Sequence, residues 1–149
     1  MAELTELEQV LPQEIEKRSF EIITQELGDR VLDEKQAPVI KRVIHTTADF
    51  DYADNLVFSP NVMELAWQAI REGAPIITDT NMGKSGINKK RLANYGSEVY
   101  CFMADEDVAE EARKHGITRA CASMDKAARL GLNGIFAIGN APTALVRLH

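Results

Sequence analysis

The second half of the chain alternates short apolar runs with amphipathic stretches of about ten residues, and this alternation limits the fold more than any other feature. The runs are Ala74-Pro75-Ile76-Ile77-Thr78-Asp79, Val99-Tyr100-Cys101-Phe102-Met103 and Gly134-Ile135-Phe136-Ala137-Ile138-Gly139. Antiparallel neighbours need only a tight turn between them, whereas crossovers of this length suit parallel strands. The expected fold is therefore α/β: a three-layer α/β/α arrangement with a largely parallel sheet, preceded by N-terminal helices. Strands are predicted at Ile76–Thr78, Val99–Met103 and Ile135–Ile138.

The helices announce themselves by spacing and punctuation. Ile15, Ile22, Ile23 and Leu27 recur at helical intervals between Pro12 and Gly28. Val39, Ile40, Val43 and Ile44 mark the inner face of a second helix from near Pro38 to Asp49. Ser59-Pro60 reads as cap and first turn of a third, carrying Met63, Leu65, Trp67 and Ile70 and stopping at Gly73. Ile87 to Tyr95 is a short helix. Asp105 to His115 has acids first, bases last and Gly116 after them, in keeping with the helix dipole. Ser123 is expected to cap a helix through Leu130, and Pro142 to open the last one, Thr143 to Leu148. Ligands of parallel sheets bind beyond the carboxyl ends of the strands, here Asp79-Thr80-Asn81, Ala104-Asp105 and Gly139-Asn140.

Composition removes several classes of function. With 45% hydrophobic residues the chain of 149 can bury a core, and with 27% charged residues disorder is not expected. A net charge of −6 argues against nonspecific nucleic-acid binding. Apolar runs are too short to span a bilayer, and the acidic start, MAELTELEQVL, does not resemble a signal peptide. A cytoplasmic protein is expected. Cys101 and Cys121 read as buried, reduced thiols, and no metal-ligand spacing is present.

Four features invite a chemical reading. Gly83-Lys84-Ser85 follows a strand, but a phosphate loop needs a further glycine where Thr78 stands, so nucleotide binding is disfavoured. Lys84, Lys89, Lys90 and Arg91 form either a solvated face or an anion site just past a strand end. His45 sits near a helix C-terminus, which favours imidazolium by about 0.3–1 kcal/mol; Asp49 adds to this and Arg42 opposes it. It is either structural or a proton donor. Ser19 lies on the apolar face of the first helix, where it bonds a carbonyl one turn back or lines a cavity.

The chain resembles the precorrin-8X methylmutase family. Seven segments carry the resemblance in one order: Arg18-Ser19-Phe20, Arg42-Val43-Ile44-His45, Val57-Phe58-Ser59-Pro60, Thr78-Asp79-Thr80-Asn81-Met82, Ser85-Gly86-Ile87, Gly116-Ile117-Thr118-Arg119 and Ala137-Ile138-Gly139-Asn140-Ala141-Pro142-Thr143-Ala144-Leu145. They cover the chain from Ile15 onward.

The resemblance implies a cofactor-free isomerisation in cobalamin biosynthesis. A methyl group on a corrin precursor moves from C-11 to C-12, giving hydrogenobyrinic acid or its cobalt-bearing counterpart. It implies that His45 donates and accepts the proton, and that Ser19, Thr80, Asn81, Lys84, Ser85, Gly86, Arg119 and Asn140 contact the tetrapyrrole. The TNMGKSGINK stretch looks more like the cobalt-dependent branch. His45, Ser19 and the Thr80–Gly86 loop are expected to share one cleft, within a subunit or across a homodimer. Residues 1–149 are expected to form a single methylmutase-like domain lacking the family's C-terminal segment, which supplies another strand. A corrinoid-binding but silent fragment, a nucleotide-binding domain and a general interaction domain are the alternative readings.

Overall fold

The computed structural model describes residues 11–12 and 14–149, so the N-terminal stretch without signal-peptide character falls largely outside the described residues. The chain divides into two compact units, one running to Met63 and the other beginning at Glu64.

The first unit is helical. It contains α1 (Ile15–Leu27), α2 (Ala37–Thr47) and the single turn α3 (Tyr52–Asn55). Its core is Ile23, Leu27, Ile40 and Ile44, packed with Phe20, Leu32, Phe50, Tyr52, Ala53, Leu56 and Phe58. Each long helix thus buries one i, i+4 pair, the spacing that places two side chains on one face. The predicted faces were wider than this: Ile15, Ile22 and Val39 are exposed. The predicted cap at Ser59 is a turn instead. Val62 N–H donates to the Ser59 carbonyl at 3.2 Å, Pro60 occupies the second position and Asn61 the third with φ of 58°. A helix cannot run through a left-handed residue, so α4 starts two residues later, at Val62–Arg71.

The second unit holds most of α4, then β1 (Ile76–Thr78), α5 (Asn81–Gly86), α6 (Lys89–Ala93), β2 (Val99–Tyr100), α7 (Glu106–His115), α8 (Arg119–Arg129), β3 (Ile135–Ala137) and α9 (Pro142–Leu148). The strands form one sheet in the order β2-β1-β3, parallel throughout. Ile76 pairs with Val99 on one side and Ile135 on the other. The chain leaves β1 in one direction for β2 and returns past it to β3. Right-handed crossovers in opposite directions require α5–α6 and α7–α8 to take opposite faces. Ile77 and Phe102 pack with Val108 and Ala112 of α7, Ala120, Met124 and Ala127 of α8, and Ala144 of α9.

Two boundaries differ from expectation. Where β2 ends at Tyr100, the Thr78 hydroxyl shares its one proton between the Thr80 carbonyl at 2.9 Å and the Tyr100 carbonyl at 3.3 Å. The last carbonyl of β2 thus meets a side chain. α8 begins at Arg119, with Thr118 as its cap accepting from Cys121 N–H. Ser123, predicted as the cap, is fully buried inside the helix, where its hydroxyl donates back to the Arg119 carbonyl at 2.7 Å.

The junction between β1 and β3 is the most tightly specified part of the unit. A Cβ on Gly134 would lie 2.0 Å from the Pro75 carbonyl oxygen. Ile135 N–H needs that same oxygen, at 2.9 Å. At the other end of the pair Asp79 is 2% exposed. Its Oδ2 accepts from the backbone N–H groups of Gly139 (3.2 Å), Asn140 (2.7 Å) and Ala141 (2.8 Å). Burial pushes this carboxyl up, but the bonds from Asn140, Gly139 and Ala141 together outweigh it and hold it below its ordinary value.

Two outcomes follow. Gly134→Ala must force β1 and β3 apart and should destabilise the protein by about 1–3 kcal/mol or more, read by urea unfolding; unchanged stability would contradict the close approach. The Asp79 carboxylate has a depressed folded-state value, so its contribution is present above the ordinary 3.8 and is lost as pH falls through the lower folded value. Asp79→Asn should therefore cost about 1.5–3 kcal/mol near pH 6, with the gap to the parent narrowing below about pH 4. A gap constant with pH would show that the charge is not what the turn requires.

Candidate functional site

Ser19 and His45 come together in the first unit. Residues twenty-six apart in sequence, they meet because α1 and α2 pack side by side, and the Ser19 Oγ lies 2.7 Å from His45 Nδ1. Both are half-buried. A hydroxyl both donates and accepts, so it can bond Nδ1 in either protonation state of the ring. Nε2 is left to exchange a proton with something else. Neither the carbonyl bond nor the cavity expected for Ser19 describes this contact; its partner is a side chain of α2.

The ring is also fixed laterally. Phe20 meets it edge-on, with centroids 5.6 Å apart and planes at 84°. Arg42 lies over Phe20, 4.9 Å from its centroid, and pairs with Glu16. The Arg42 charge that the sequence set against an imidazolium is therefore engaged by a carboxylate. A cavity of about 610 Å³ opens along α1, lined by Glu16, Lys17, Phe20, Glu21 and Thr24.

The remaining candidates lie in the second unit, at the carboxyl end of the sheet. The stretch read as a loop is the short helix α5. Its cap is Thr80, whose Oγ1 accepts from Gly83 N–H at 3.0 Å. Asn81 is its first residue, Lys84 is half-buried in its last turn, and Ser85 and Gly86 end it in exposed positions. Asn140 is exposed in the turn that Asp79 holds, three residues beyond the end of β3. Arg119 is exposed at the first position of α8. Thr118, just before it, shares a 2.9 Å hydrogen bond with Thr143 of α9. The Cys121 thiol, half-buried rather than buried, donates to the Thr143 carbonyl. Thr80, Asn140 and Arg119 are thus tied through β1, the Asp79 turn and the start of α9.

Some cations of this unit are neutralised and others are not. Lys126, Arg129 and Arg147 are paired with acids. Lys84, Lys89, Lys90, Arg91 and Arg119 have no ion pair among the described residues. Five unneutralised cations suit a ligand bearing several carboxylates. A phosphate would instead seek the backbone N–H groups of a strand-to-helix turn, but at the β3–α9 turn Asp79 already occupies them. Among the described residues no three His, Cys, Asp or Glu side chains gather to hold a metal ion, and no helix is long and apolar enough to cross a membrane.

Asp79 is the residue to which sequence reasoning gave no role. Its signal was present: an acid at the end of an apolar strand, with an N–H-rich Gly-Asn-Ala-Pro turn at the end of another.

Comparisons with known proteins agree on one family. The sequence model of the family described as CbiC, precorrin-8X methylmutase, matches residues 14–149. The chain is 45% identical over 139 residues to a cobalt-precorrin-8 methylmutase of Priestia megaterium, covering 93% of this chain and 62% of that protein. It is 46% identical over 143 residues to one from Salmonella typhimurium, covering 92% and 68%. A crystal structure of precorrin-8X methyl mutase from Thermus thermophilus superposes with a TM-score of 0.82 at 39% identity, covering 91% of this chain and 66% of that one. The chain spans about three-fifths to two-thirds of the length of these relatives. A parallel α/β unit, the seven ordered segments and these matches together establish that the chain belongs to the precorrin-8X methylmutase family.

Proposed function

We infer that the protein is the isomerase of cobalamin biosynthesis that moves a methyl group from C-11 to C-12 of precorrin-8X or cobalt-precorrin-8. The products are hydrogenobyrinic acid or cobyrinic acid. One observation carries the reading: the 2.7 Å contact between Ser19 and His45, the two residues for which the family resemblance implies proton handling and substrate contact. A methyl shift within a conjugated macrocycle needs neither nucleophile nor redox centre. Protonation of a ring nitrogen withdraws electrons from the π system and lowers the barrier. His45 supplies that proton and takes it back, a contribution of about 10²–10⁴-fold for a general acid. Ser19 holds Nδ1 through both steps, so the ring keeps its aim.

Recognition rests on Arg119, Lys84, Asn81, Ser85, Gly86, Thr80 and Asn140. Each charged hydrogen bond to a substrate carboxylate contributes about 1.5–3 kcal/mol, so several are needed to hold the macrocycle. Cobalt-precorrin-8 is the favoured substrate, because the relatives from Priestia megaterium and Salmonella typhimurium carry that name. The protein acts in the cytoplasm, residues 1–149 serve as one methylmutase-like domain, and the active form is a homodimer. The exposed Leu145 and Val146 of α9 support self-association, since apolar patches tend to find partners.

Titration with hydrogenobyrinic acid, followed by its absorbance beside a measurement of mass in solution, tests binding and assembly. Turnover of precorrin-8X separates an enzyme from a silent corrinoid-binding fragment. His45→Ala should lower turnover by at least about 100-fold while leaving the corrin dissociation constant within about threefold. Undiminished turnover would remove His45 from the chemistry. Arg119→Ala should weaken corrin binding by about tenfold at low ionic strength and by less near 0.5 M salt, where the charge is already screened. Equal affinity of variant and parent at low salt would exclude Arg119 from the site.

A further inference from the structure

We propose that Asp79 is a positioning residue for this reaction, acting through Asn140 by fixing the Gly139–Asn140–Ala141 turn with its buried carboxylate. This rests on the corrin reading above and names the group that sets the turn carrying Asn140. Asp79 is 2% exposed, so it does not meet a ligand itself. One oxygen accepts three consecutive N–H groups, at 3.2, 2.7 and 2.8 Å, from residues sixty to sixty-two positions away. Three successive amides converging on one atom leave the turn little freedom. The Asn140 side chain is exposed beside it, and its place is set by a backbone it does not control. The arrangement sits where β1 and β3, neighbours in the sheet, lead to helices on opposite faces, which is the crevice where parallel sheets bind ligands. Asp79 is followed directly by Thr80, the cap of α5. One residue therefore holds the turn before α9 and directly precedes the cap of α5.

Asp79→Asn keeps the shape and removes the charge. Amide hydrogen exchange at Gly139, Asn140 and Ala141 should accelerate by tenfold or more, while Ile77 and Phe136 in the ladder stay protected. The dissociation constant for hydrogenobyrinic acid should rise by about tenfold, the scale of one lost charged hydrogen bond. Asn140→Ala should have a similar effect alone and add less than about twofold in the Asp79→Asn background, since the two act on one contact. A purely structural role would let the two effects multiply. If the amide variant does not fold, Asp79→Glu, which keeps the charge and displaces the oxygen by one methylene, takes the same measurements. Unchanged exchange at the three amides overturns the proposal. So does faster exchange with unaltered corrin affinity, or multiplication of the two effects. Should the parent bind no corrin, the corrin reading fails, and with it Asp79's positioning role in that reaction; the exchange data alone then decide whether Asp79 sets the turn.

Discussion

A single buried carboxylate organises the carboxyl end of the sheet. Removing Asp79 from water is costly, and three backbone N–H groups offset that cost. Those groups would otherwise be orphan donors, two of them in the turn and one at the mouth of α9. Each side of the bargain needs the other, and both depend on β1 and β3 being adjacent. The pairing in turn requires Gly134, because no side chain fits between the start of β3 and Pro75. Strand order, turn and helix start are therefore one interlocked arrangement, and it also decides what the crevice can recognise. With the backbone anion site filled from within, an anionic ligand must be met by side chains. Lys84, Lys89, Lys90 and Arg119 are side chains at this end without an ion pair among the described residues.

The first unit solves a different problem. Its two long helices bury only two residues each, yet they hold a serine and a histidine at hydrogen-bond distance. Phe20 meets the imidazole with planes at 84°, and Arg42, paired with Glu16, lies over Phe20. Neither the ion pair nor the cation over Phe20 is worth much at an exposed surface. Both act on Phe20, the ring that in turn meets the imidazole.

Much of the fold was legible because its signals are local. The three apolar runs became the three strands, and Gly28 and Gly116 ended helices where the pattern placed them. Failures came where two local readings competed and tertiary context chose. Ser123 and Thr118 are both cap residues; burial of Ala120, Ala122 and Met124 drew the helix past Ser123 and left Thr118 at its start. Ser59-Pro60 carries the composition of a helix start, but also that of a turn, and Asn61 in the left-handed region settled it. The resemblance implied a loop over Thr80–Gly86, yet Thr80 caps a short helix there. Of the site, the residues legible in sequence were those that carry distinctive side chains. Asp79 escaped because its importance is a relation to backbone sixty residues away, and backbone amides leave no trace in sequence.

That long span sets the order in which the second unit can be completed. β1 is the central strand and the first to be made. Its partner β3 and the turn that Asp79 holds emerge about sixty residues later. At synthesis rates of about 5–20 residues per second, Ile76–Thr78 waits about 3–12 s with an unpaired edge. It is the most buried strand of the three, and so the one whose exposure invites wrong partners. A length of only three residues limits that hazard, since so short an edge templates little. Brevity in β1 is thus as much a property of the nascent chain as of the finished sheet.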